Sequence, residues 1–196
     1  MNNVFLNISS YYLMKAEHIV LHPTSEYSHE VIITNMIIPG MEQILAIGKK
    51  ELMERFSCGD TCFLAKDNGK YLGVLWGHTG DCFVRGVGKR LDLMQNEAYM
   101  YGVFTLPEVR KRNIFNTLKN AFFKFYSAKE IVSYYTLVSP QNKIMITSLR
   151  KNGFTAKSFL HYIRFLYIGL LYEFNFVYNN RRITLVKREP LDCYII

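Results

Sequence analysis

The stretch AYMYGVFTLPEVRKRNIFNTLKNAFFKF, residues 98–125, decides how the rest of this chain is arranged. It opens as a strand. Tyr99, Tyr101 and Val103 alternate with Met100, Gly102 and Phe104, and both sets are largely apolar, the pattern of a strand buried on both faces. Pro107 ends the strand, because proline has no N–H for a sheet ladder. A basic turn follows, Arg110-Lys111-Arg112-Asn113, and then a helix. Ile114, Leu118, Phe122 and Phe125 fall on one side of it, which leaves Lys111, Lys119 and Lys124 to reach water. Strand, cationic turn and helix N-terminus together predict an anion cradle, with backbone N–H groups and the positive end of the helix dipole aimed at the turn. The alternative is a set of solvated charges at a helix start. That is the unfavourable end for cations, by roughly 0.3–1 kcal/mol each, so a phosphate at the turn is the expectation.

Working outward, 196 residues suit a single domain, 1–196, with a sizeable core. Half the chain is apolar, with 14 Tyr and 14 Phe, so disorder is excluded. A net charge of +8 and a pI near 9.3 favour phosphates, nucleic acid or a membrane surface as partners, unless the basic surface is merely ordinary. Cys58, Cys62, Cys82 and Cys193 show no CxxC spacing, and His78 and His161 complete no metal set, so no metal is expected. They read as free thiols of a reducing, cytoplasmic compartment. The N-terminus has no charged segment ahead of an apolar run, which argues against secretion. The greasiest stretch, residues 165–178, is shorter than the ~20 residues that span a bilayer and contains Glu173. It reads as a core strand pair or an interfacial patch.

In chain order, residues 4–8 and 30–38 are strand-like and Pro39-Gly40 is a turn. Residues 43–56 read as helix, with a break near Gly48 and a stop at Gly59. Residues 61–66 and 70–77 form a hairpin through Asp67-Asn68-Gly69. Residues 79–96 read as a long connection or a short irregular strand. Their glycine cluster at 86–88 neither follows a clean strand nor opens a helix, so it is no dinucleotide fingerprint. A strand over 130–138, a helix over 142–151 capped by Gly153, and strands over 158–168 and 183–187 complete the list, with a long connection through Asn179-Asn180 between the last two. A strand–helix–strand unit beside antiparallel partners requires a mixed, largely antiparallel α/β sheet flanked by helices, with a cleft where the parallel neighbours diverge.

Three stretches resemble the GNAT superfamily of acyl-CoA-dependent N-acetyltransferases: residues 54–76, 103–118 and 139–154. They are similar to the family's helix and early hairpin, its pyrophosphate-binding strand–loop–helix, and the asparagine and helix after the next strand. The likeness covers about residues 41–165. It implies an acetyl-CoA donor and an amine acceptor, such as an amino sugar or another small amine. The backbone of Val103, Phe104 and Thr105 would lie beside the thioester. Arg110, Lys111, Arg112, Asn113, Ile114 and Phe115 would hold the pyrophosphate. Asn113 and Phe115 stand where the family has glycines; Asn tolerates left-handed dihedrals, and Phe115 would have to point into the core. Leu149 stands where many members have the tyrosine that protonates the leaving thiolate.

Asn142 is either the N-cap of its helix, a contact to CoA, or both. Glu97 shares a strand face with Tyr99 and Tyr101, and is the candidate general base, with Tyr101 beside it; the alternative is a strand-end charge and packed tyrosines. Trp76 and His78 end the hairpin strand and either line an acceptor pocket or pack. Two rivals stand beside the acetyltransferase: a catalytically degenerate CoA-binding module, and a basic nucleic-acid-binding protein, which the sequence disfavours because no nucleic-acid motif is present.

Overall fold

The computed structural model describes residues 6–21, 29–45, 47–84, 87, 89–165, 168–176, 180–187 and 194–195. Of the stretches read above, residues 4–5, 46, 85–86, 88, 166–167, 177–179 and 193 lie outside them. The predicted hairpin is present as β3 (Thr61–Asp67) and β4 (Lys70–Thr79). Asn68 and Gly69 both take positive φ, 47° and 82°, as a type I′ turn requires. Before it, the helical stretch is broken as expected into α1 (Glu42–Leu45) and α2 (Lys49–Ser57). The opening stretch becomes β7 (Glu97–Thr105), a single 3-10 turn over Pro107–Val109, and α3 (Ile114–Ser127). β7 is buried on both faces only over its first half, from Glu97 to Tyr101. β8 (Ser133–Val138) follows; Glu130, expected in that strand, instead turns the chain out of α3 with φ 63°. α4 (Lys143–Lys151) comes next, with Asn142 as its N-cap.

Further expectations change. The N-terminal strand is longer than read, β1 (Leu6–Ala16), while β2 (Glu30–Thr34) is shorter. After β9 (Thr155–Phe165), part of the expected connection is a strand, β10 (Ile168–Asn175), which returns to β11 (Asn180–Lys187). Residues 79–96 hold a small hairpin, β5 (Cys82–Val84) and β6 (Lys89–Leu91), joined in parallel by β12 (Tyr194–Ile195).

Among the described residues, nine strands form one sheet in the order β11-β10-β9-β1-β8-β7-β4-β3-β2. All its pairings are antiparallel except β7 with β8. α3 and α4 cover one face. Ile114, Leu118, Phe122 and Phe123 of α3 meet Phe63, Leu75, Met100 and Tyr134 of the sheet there. Aromatic pairs such as Phe63–Phe122, at 5.6 Å, each add about 0.5–1.5 kcal/mol beyond burial. α1, α2 and the small sheet lie on the side of Leu64, Trp76, Tyr99 and Tyr101. Lys119 corrects the reading of α3. Its side chain does not reach water but is fully buried. No helix among the described residues is long and apolar enough to cross a membrane.

Candidate functional site

β7 pairs with β8 from Glu97–Ser133 to Met100–Thr136, and the ladder stops there. β7 runs on to Thr105 beside β4, so its edge from Tyr101 to Thr105 faces the gap left by β8. Gly102 sits at the point of departure with φ +57°. A Cβ there would fall 2.8 Å from Trp76 Cδ1 and 3.3 Å from Arg55 Nη1, so the position needs glycine on both counts. Beyond it Val103 and Thr105 are half-buried and Phe104 is exposed.

The basic turn curls tightly. Lys111 and Asn113 are both left-handed, with φ 71° and 63°, and flank Arg112, whose N–H donates to Val109 O at 3.3 Å. Asn113 thus takes the backbone shape that a glycine would supply. The first helical bond of α3 runs from Thr117 N to Asn113 O, at 3.1 Å, which leaves the N–H groups of Ile114, Phe115 and Asn116 at the open end of the helix. The Asn113 side chain accepts from Asn116 Nδ2 instead of capping them. The side chains of Arg110, Lys111 and Arg112 are exposed, and no described acidic group pairs with them; Arg110 Nε donates to Thr105 O at 3.4 Å. Ile114 is buried, and Phe115 packs inward against the core.

Beside the turn, a cavity of about 790 Å³ opens between α3 and α4, lined by Asn113, Asn116, Lys143, Thr147, Lys151 and Asn152 among others. Beneath its floor lies Lys119. Its ammonium donates to Asn116 Oδ1 at 2.8 Å and Asn152 Oδ1 at 2.5 Å, and burial pulls its pKa down to about 8. Nothing in its helical spacing marked it as buried. Asn142 Oδ1 accepts from Met145 N at 3.1 Å, the predicted cap. Leu149 is buried among core residues of α4.

On the other face of the sheet, the residues expected to do chemistry are buried. Trp76 packs against Phe56 and Tyr101 and carries the Arg55 guanidinium 4.8 Å above its ring. Neither Trp76 nor His78 faces an open pocket. Glu97 accepts from Tyr135 OH at 3.0 Å and Met94 N at 3.1 Å and pairs with Lys15 at 3.3 Å. It lies five residues before Gly102, about 16 Å along the strand, within the zipped part of the ladder. Tyr101 OH donates to Asp60 Oδ2, and burial pushes its pKa well up.

Asp60 is the residue that the sequence did not mark. α2 ends in a left-handed turn at Gly59, φ +84°, where Asp60 N returns to Arg55 O at 3.1 Å. This tucks the Asp60 carboxyl under the sheet, fully buried, with His78 Nδ1 2.6 Å from Oδ1. Arg55, likewise buried, pairs with Glu51 at 2.7 Å.

No family model matches the chain, and no curated protein matches it. Solved structures do. A protein assigned to the GNAT acetyltransferase family from Novosphingobium aromaticivorans matches with a TM-score of 0.50 and 14% identity over 79% of this chain. A GNAT-family acetyltransferase from Colwellia psychrerythraea gives 0.51 and 12% over 83%. A protein of unknown function from Staphylococcus epidermidis gives 0.53 and 9% over 81%. The matches cover 63%, 56% and 62% of those chains respectively, so this chain spans about three fifths of their length. At these identities the likeness shows the fold.

Proposed function

We propose that this chain, which has the GNAT fold, transfers an acetyl group from acetyl-CoA to a small-molecule amine. One observation carries the reading: the parallel ladder of the large sheet, β7 with β8, opens at Gly102 and leads straight into a cationic, left-handed turn at a helix N-terminus. The fit to acetyl-CoA rests on the donor set. Arg110, Lys111 and Arg112 are cations without acidic partners among the described residues, and the free N–H groups of α3 start beside them. Together they would hold the pyrophosphate, with Asn142 across the cavity. The open edge of β7 at Val103, Phe104 and Thr105 would hold the pantetheine arm and donate to the thioester oxygen. Acetyl-CoA supplies an activated carbonyl; the chain must orient the amine and remove its proton.

Glu97, with both carboxyl oxygens engaged, serves better as an anchor than as a base. Leu149 offers no proton, so the thiolate is protonated from solvent. That same leucine favours the second reading, a CoA-binding module without catalysis. Calorimetric titration with CoA, followed by thiol release from acetyl-CoA across a panel of primary amines, separates the two. CoA binding with amine-dependent thiol release is expected. Absence of CoA binding would reject both readings.

A further inference from the structure

We propose that the buried Lys119 is the positioning residue of the anion cradle. Through the side-chain amide of Asn116, its ammonium keeps the Asn113 side chain off the start of α3, so that the first N–H groups of the helix stay open to the CoA pyrophosphate. This rests on the CoA-binding half of the reading above. Asn113 is the N-cap residue of α3. Asparagine is among the best helix caps: from an extended backbone, its side-chain oxygen accepts from the N–H of the second or third helical residue. Here it does neither. Its backbone is left-handed, φ 63° and ψ 15°, and its side chain makes no cap bond. A glycine at this position could not cap with a side chain at all. The asparagine therefore brings a competitor for the groups that a bound anion needs.

A relay at the start of α3 removes that competitor. Asn113, Asn116 and Lys119 are spaced by three and fall on one side of the helix. An ammonium can only donate, and this one finds its acceptors in Asn116 Oδ1 at 2.8 Å and Asn152 Oδ1 at 2.5 Å. The Asn116 amide is thereby turned with its oxygen toward the lysine and its nitrogen toward the cap, where Nδ2 donates to Asn113 Oδ1. That oxygen is the atom that would otherwise cap the helix. The far end of the relay is fixed as well. Asn152 closes α4 and donates from Nδ2 to Ser148 O at 2.5 Å.

Stability alone does not account for the lysine. It is 0% exposed, and its two partners are neutral amides rather than carboxylates. Burial pulls its pKa down to about 8, so the ammonium is costly in the fold yet still the main form at neutral pH. An apolar side chain of similar length would fill the space without desolvating a charge. The relay also reaches the place where the ligand would lie, since Asn113, Asn116 and Asn152 line the cavity between α3 and α4. Without the ammonium, the Asn116 amide is free to turn. Asn113 can then relax to an extended backbone and cap the helix, which occupies an N–H group that the phosphate would use.

The test is a mutant cycle on the full chain, with CoA affinity read by calorimetry at neutral pH. Lys119→Met should weaken CoA binding about 5–30-fold, the effect of a helix cap of ordinary strength. Asn113→Gly added to Lys119→Met should restore the affinity to within about twofold of the parent, because glycine takes a positive φ freely and has no side chain to cap with. A lysine that only supports the fold would give the same loss with either residue at position 113. Equal loss in both backgrounds, or no loss in Lys119→Met, would overturn the relay and leave the CoA-binding reading standing. No CoA binding by the parent would end both. Should Lys119→Met fail to fold, Asn116→Ala breaks the same relay at its half-buried middle. Loss of affinity that Asn113→Gly rescues supports the relay there too; loss without rescue, or no loss, refutes it.

Discussion

Arg110 is where the cradle can be tested one side chain at a time. It is exposed and its Nε touches only Thr105 O, so its removal should not disturb the fold. Arg110→Ala should weaken CoA binding by about 1.5–3 kcal/mol, a charge-assisted hydrogen bond, with an unchanged melting temperature. Calorimetry reads both halves of that statement. Asn113→Gly keeps the φ of 63° available and removes only the contact to Asn116, so CoA affinity should hold or rise. Lys119 makes the pH-dependent prediction. Its proton is held up to about 10.5 in the unfolded chain and only to about 8 in the fold, because burial disfavours the ammonium. Between those values the unfolded chain binds more protons, so this residue makes the fold gain stability as pH rises from 8 to 10.5. Lys119→Met should remove that gain. Denaturant titrations of both proteins at several pH values would show parallel curves if Lys119 is instead fully charged throughout.

At the scale of elements, what could be read from sequence was what sequence neighbours decide. The β3–β4 hairpin follows from Asn68-Gly69, and α4 from a cap at Asn142 and a left-handed Gly153, φ +91°. The cradle was legible for the same reason: its strand, turn and helix are contiguous. β1 and β10 were not. Tyr12 and Met14 of β1 pack on the α3 face while Tyr11 and Leu13 pack on the other, so the strand shows no alternation to detect. The Asp60–His78 contact spans 18 positions and depends on the turn at Gly59, which no spacing rule reports. The cap in α4 separates structure from binding. Asn142→Ala should cost about 1 kcal/mol of stability and also lower CoA affinity. Asn142→Asp should keep the cap and the melting temperature, yet lower CoA affinity by placing a carboxylate near phosphates. Equal CoA affinity in the parent and the Asp variant would confine Asn142 to capping.

Across the whole molecule, the sheet depends on a strand that arrives from far away in sequence. β1 lies between β8 and β9, and so ties the parallel core of the sheet to its antiparallel C-terminal half. Glu97 is the knot of that arrangement. Its carboxylate on β7 receives Lys15 from β1 at 3.3 Å and Tyr135 from β8 at 3.0 Å, while Met94 N closes the approach to β7 at 3.1 Å. Three neighbouring strands therefore meet on one nearly buried charge. Glu97→Gln removes the charge but keeps the shape. Lys15 retains Glu17 at 3.0 Å and is partly open to water, so the loss should be that of one charged hydrogen-bond set, about 1.5–3 kcal/mol, rather than that of an orphaned buried cation. The variant should melt earlier and bind CoA as the parent does, and its rate at a temperature where it is fully folded should be unchanged. A rate that falls 100-fold or more without loss of stability, about the effect of removing a general base, would return the proton-accepting role to Glu97.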